Sequence, residues 1–140
     1  YLFWTFSSYF ALGAEYVYEY FERDESSFGG IEQVQELTTN SVPLSISFFH
    51  PIGIYARLIG TYVYQKGDFV DGMTLEVDSD SSNFWVFDAL LGYRFPKRYG
   101  TLEVGVKNAT NAGFKFQDMN PAAPTIYPDQ YFYGRLSLSF

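Results

Sequence analysis

Nine charged residues recur at matching parity inside alternating apolar and polar runs: Glu15, Glu19, Arg23, Arg57, Asp88, Arg94, Glu103, Lys107 and Arg135. Two chemistries fit a mixed-sign set on one face. A wet interior lined this way would discriminate among charged solutes. Alternatively, opposite charges on neighbouring strands would pair and satisfy one another. A second group is purely acidic: residues 67–82 hold Asp68, Asp71, Glu76, Asp78 and Asp80 with no Lys or Arg. Carboxylates are oxygen ligands for Ca²⁺, and Asp78 and Asp80 have a spacing that could share an ion. The Gly and distal Glu of an EF-hand loop are missing, so a solvated acidic loop is the plainer reading. His50 is the single His. A hydrolase would pair it with Ser47 and a carboxylate, but it stands beside Pro51 in a turn, and no serine motif accompanies it. Gly-rich phosphate loops and metal-ligand clusters are absent. Neither catalysis nor a cofactor is expected.

Composition narrows the class. Aromatic residues make up 21 % of the chain, and hydrophobic residues 47 %. Yet no run approaches the roughly 18 apolar residues of a transmembrane helix. Cys is absent, which removes disulfides, thiol nucleophiles and thiolate metal sites. The net charge of −7 argues against a nucleic-acid partner, which needs a basic stripe.

The elements that must carry these residues read as strands. Side chains alternate across a strand. Residues 131–140 put Phe132, Gly134, Leu136, Leu138 and Phe140 on one face, and Tyr131, Tyr133, Arg135, Ser137 and Ser139 on the other. Ten residues suffice for a tilted strand to cross a hydrocarbon core. Similar alternation predicts strands over 12–23, 40–49, 54–65, 83–95 and 101–110, with a partial strand at 1–5. Their apolar faces carry Leu12, Leu44, Ile46, Leu58, Phe87, Leu91 and Val104, and the charged set lies opposite. Pro43 lacks a donor and should weaken its strand. Short turns are predicted at 6–9, 50–53 and 96–100, and long polar loops at 24–39, 66–82 and 111–130. Short and long connections therefore alternate. The expected architecture is all-β: an antiparallel up-and-down, membrane-spanning barrel segment of about seven strands, forming one domain over 1–140. Aromatic residues should gather in two girdles at the membrane interfaces.

Seven strands are fewer than the roughly eight of the smallest such barrels, and an open edge in lipid leaves backbone groups unpaired. Upstream strands or partner chains are therefore expected to complete the sheet, with this chain as the last third or half. It begins at Tyr1 without a Met or a signal peptide, which fits a processed or partial chain.

The closing stretch resembles the last strand of bacterial outer-membrane β-barrels. Its terminal Phe140, with Leu138, Leu136 and Phe132, matches their barrel-assembly signal, while Gly134 departs from it. Residues 83–140 further resemble the end of TonB-dependent receptors. The likeness rests on Asp88 ahead of Gly92-Tyr93, on Gly100 through Asn108, on Asn108-Ala109-Thr110-Asn111, and on Phe116-Gln117-Asp118. The apolar pair that usually follows the Asn is lost.

The resemblance implies an integral protein of the Gram-negative outer membrane. Its contacts would be lipid, lipopolysaccharide and the barrel-assembly machinery. It implies uptake of a scarce ligand through TonB-type energy coupling, or porin-like passage of solutes. The alternative is a structural barrel that anchors or secretes for a periplasmic or cell-surface assembly.

Overall fold

A computed structural model describes residues 1–22, 33–70, 77–113 and 129–139. Arg23, Phe140, the 116–118 segment and the side chain of Asp78 lie outside the described residues. Eight strands form one antiparallel sheet: β1 (Leu2–Thr5), β2 (Phe10–Ala14), β3 (Val17–Glu22), β4 (Gln33–Phe49), β5 (Ile54–Val70), β6 (Val77–Arg94), β7 (Gly100–Lys107) and β8 (Tyr131–Leu138). Their lateral order is β1-β2-β4-β5-β6-β7-β8, with β3 also paired to β4. The sheet is open. Among the described residues β1 and β8 each pair on one side only.

Eight strands occupy seven lateral places, because β2 and β3 lie on one line. Phe10 pairs with Phe48 and Glu22 with Glu36, and the register between them never slips. The break falls at Glu15 and Tyr16, where the Glu15 N–H donates to the Pro43 carbonyl at 3.0 Å. A closely bonded antiparallel pair exchanges two bonds. Pro43 returns none, so the ladder parts there while the strand direction survives.

Three tight turns stand at one end. Ser7 Oγ accepts from the Tyr9 and Phe10 N–H groups, both at 3.1 Å, shaping the first. Gly53, at φ 102°, closes the second. In the third, a 3-10 turn at Pro96–Arg98 is followed by Gly100. Backbone bonds string these turns into a row: Phe49 N to Tyr9 O, Arg94 N to Gly53 O, and Ser139 N to Tyr99 O, each at 2.8–2.9 Å.

The far end corrects the sequence reading. The predicted loops at 24–39 and 66–82 are strand over much of their length. β4 begins at Gln33, β5 runs to Val70, and β6 begins at Val77. The apolar alternation stops there, but the backbone ladder does not: Thr39 pairs with Gln65, and Lys66 with Ser81. Conversely, the strand predicted to run to 110 ends at Lys107, because Asn108 turns to φ 47°.

Registration sorts the side chains completely. One cross-sheet row reads Leu12, Ile46, Leu58, Ala89, Val106 and Phe132, all apolar. Its neighbour on the opposite face reads Ala11, Ser47, Arg57, Leu90, Gly105 and Tyr133. The buried strand side chains (Ala11, Leu37, Val63, Val86, Ser41, Ser47 and Gln65) all belong to the polar face. The large apolar side chains of the other face stand open: Leu58 is 57 % exposed, Leu91 54 % and Leu136 60 %.

Candidate functional site

The polar face brings eight of the nine predicted charges together. Glu15, Glu19, Arg57, Asp88, Arg94, Glu103, Lys107 and Arg135 all share its parity. Their charge is zoned along the strands. Arg94, Arg135, Glu103 and Arg57 lie toward the turns, Asp88 and Lys107 near the middle, and Glu15 and Glu19 toward the far end, so cations outnumber acids at the turn end and only acids stand at the other.

Two of these residues, Asp88 and Lys107, are anchored by specific partners in the middle of β6 and β7. Lys107 Nζ meets Asp88 Oδ2 at 2.6 Å in an ion pair. The second oxygen, Asp88 Oδ1, accepts the Asn108 N–H at 2.9 Å. Asn108 is 3 % exposed, and its side-chain amide bridges the Ala112 backbone, accepting from N at 2.8 Å and donating to O at 3.0 Å. Gln130 then ties the start of β8 to this corner, with its N–H on Asn111 Oδ1 and its amide on Ala109 O. The left-handed backbone at Asn108 and Asn111 is where Asn is tolerated best. One carboxylate thus terminates β7 and orients the turn beyond it.

A second device crosses three strands. Tyr55 on β5 lies over Gly92 on β6, and its hydroxyl donates to Glu103 Oε1 on β7 at 2.7 Å. A Cβ on Gly92 would collide with the Tyr55 ring. Tyr133 on β8 repeats the arrangement over Gly105, where an added Cβ would stand 2.6 Å from the ring. Arg57 Nε donates to Ser47 Oγ at 3.0 Å, a third cross-strand tie. The side chains of Glu15, Glu19, Arg94 and Arg135 make no hydrogen bond or ion pair among the described residues. Cross-strand pairing therefore accounts for part of the set, and the remainder stands exposed on the polar face.

Sequence reasoning passed over Tyr55 and Tyr133. The signal available was an inward Gly on the neighbouring strand at the same level, but that level is set by pairing across hairpins. The other candidates fall away from the polar cluster. Asp80 lies in β6, not in a loop, and its Oδ1 accepts the Ser81 N–H at 2.7 Å. No group of three or more His, Cys, Asp or Glu among the described residues could hold a metal ion. His50 Nδ1 accepts from Ile52 N at 3.4 Å, and its ring stacks on Tyr9. Ser47, which a hydrolase would need, is engaged by Arg57. Of the assembly-signal residues, Phe132, Leu136 and Leu138 all project from the apolar face of β8, at 76 %, 60 % and 52 % exposure.

The apolar face carries rings at two levels. Near the turns Trp4, Phe6, Phe10 and Phe48 follow one another with centroids 5.1–5.7 Å apart. Tyr62, Trp85 and Phe87 form a second group at 5.4 and 5.8 Å. No family model matches the chain, and neither curated proteins nor solved structures give a match to it.

Proposed function

We propose that this chain is a segment of a membrane-spanning β-barrel of the bacterial outer membrane, and that its polar face lines a passage for solutes. One observation carries the reading: the sheet is sorted inside out. Its buried strand side chains lie on the polar face, while Leu58, Leu91, Val104 and Leu136 stand exposed on the other. A soluble sheet packs its large apolar face against something. Contiguous exposed apolar patches beyond a few hundred Å² are rare in soluble monomers. Hydrocarbon is the medium in which this distribution lowers the free energy.

The dimensions support the same reading. From Ile54, level with Tyr93, to Tyr64 the apolar face of β5 carries no charge. That stretch spans roughly 34 Å along the strand and, at a tilt of about 40°, roughly 26 Å of depth. Barrel proteins expose an apolar band about 25 Å tall between aromatic girdles. Charges return on this face only beyond it, at Glu22, Glu36, Lys66 and Asp68. The open edges β1 and β8 would then be paired by further strands, from the same polypeptide or from partner chains. Energy-coupled uptake of the TonB-dependent kind is the specific mechanism proposed, on the strength of residues 83–140. The zoned charges would orient an ionic solute as it passes.

Membrane assembly of single variants tests the reading. Leu58→Arg, near mid-band, should cost about 2–4 kcal/mol of folding free energy in lipid, and Val104→Arg, nearer the turns, should cost less. Glu103→Gln should assemble normally. Equal membrane assembly of Leu58→Arg and Glu103→Gln would refute a lipid-facing surface.

A further inference from the structure

The turn between β6 and β7 concentrates one sign of charge in a chain of the other sign. Arg94, Lys97 and Arg98 fall within five residues, and no Asp or Glu lies between Asp88 and Glu103. Glu103 itself is engaged by the Tyr55 hydroxyl. The whole chain carries −7, so this corner is a local reversal. The side chains of Arg94 and Arg98 make no hydrogen bond or ion pair among the described residues.

The two arginines are not merely adjacent in sequence. With Gly100, Thr101, Ser137 and Ser139 they line one open pocket of about 340 Å³. Thr101 and Ser137 face each other across the β7–β8 ladder. The Ser139 N–H is held by Tyr99 O at 2.9 Å, which fixes the end of β8 against the turn. Gly100, at φ 149°, lets the strands close here, since any Cβ would strike the Ser137 carbonyl. The wall is therefore positioned by backbone bonds, and no Asp or Glu side chain lines it among the described residues.

We propose that this pocket binds a phosphate group. Two planar guanidinium forks and three hydroxyls offer more donors than a carboxylate has acceptors, and a tetrahedral oxyanion uses them. The group can come from free phosphate or from a phospholipid headgroup. Tyr99, 58 % exposed, stands at the same turn, an amphipathic ring of the kind that favours headgroup depth. The phosphate site goes beyond the barrel reading and does not depend on it.

The full chain in an uncharged detergent is titrated by calorimetry with inorganic phosphate. Separately, it is titrated with mixed micelles of phosphatidylglycerol or of phosphatidylcholine. Saturable binding is expected, weakened on the order of tenfold by Arg94→Gln or by Arg98→Gln. Lys66→Gln, which removes the same charge from the far end of β5, should change nothing. Thr101→Val should weaken binding severalfold without altering charge, and circular dichroism confirms that each variant keeps its sheet. Binding of inorganic phosphate assigns the free ion as a ligand, and binding of phosphatidylglycerol alone assigns the headgroup. Absence of saturable binding to both, an equal loss in Lys66→Gln, or indifference to both arginine variants overturns the site.

Discussion

Asp88 shows how unequal the two oxygens of one carboxylate can be. Oδ2 faces Lys107, whose side chain is 40 % exposed, so water screens that pair and its worth is below about 1 kcal/mol. Oδ1 holds the N–H of Asn108, which is 3 % exposed, so water does not screen that bond. Leaving such a donor unmet costs about 1–3 kcal/mol. Asp88→Ala should therefore destabilise the fold in detergent by about 1–3 kcal/mol, and Lys107→Ala by less than about 1, read from urea unfolding midpoints. Equal losses would mean that the ion pair carries the corner. The Tyr55–Gly92–Glu103 crossing gives a second test. Gly92→Ala should cost about 1–3 kcal/mol through overpacking, and much of that cost should vanish in a Tyr55→Ala background. A double-mutant cycle measures the coupling, and simple additivity would show that the ring does not lie over the glycine. The shared parity of Asp88 and Lys107 was legible in the sequence, because each lies in a clean alternating run. Tyr55 over Gly92 was not, since it needs the register of three strands and the reach of a ring.

At the scale of strands, alternation marked which residues lie on which face but not where strands end. Residues 33–39 and 66–70 carry a loop's pattern in the sequence because apolar residues stop recurring there. What stops is one apolar face, not the hydrogen-bond ladder: Thr38 pairs with Lys66 and Gln65 with Ser82. β4, β5 and β6 thus continue with polar residues on both sides. Turns were legible at 6–9, 50–53 and 96–100 because Ser, Pro and Gly act there through local geometry. Pro43 is a weak point legible in the sequence, but its effect falls on the neighbouring strand, where it separates β2 from β3. Pro43→Ala would supply the missing donor to the Glu15 carbonyl, a gain of about 1 kcal/mol. It would also release the unfolded chain from proline's restriction, a loss of about 0.4–1 kcal/mol. Global stability should move by less than about 1 kcal/mol, whereas amide exchange at Tyr16 and Val17 should slow as the ladder closes. Unchanged exchange at both amides would show that the gap has another origin.

Across the whole molecule, face sorting is both the most legible feature and the most consequential. Every second residue from Leu44 to Phe48, from Ala56 to Tyr64 and from Trp85 to Tyr93 already gave the apolar surface. The structure adds that these runs align into continuous rows, and that Leu44, Leu58, Trp85, Phe87 and Leu91 within them stay exposed. A surface of that kind binds any amphiphile offered to it, and the unfolded chain has no equivalent. Detergent or lipid is then a ligand of the folded state in the thermodynamic sense, and folding free energy rises with the logarithm of its activity. The stability of this sheet is a joint property of chain and solvent, so each melting temperature marks one point on a binding isotherm.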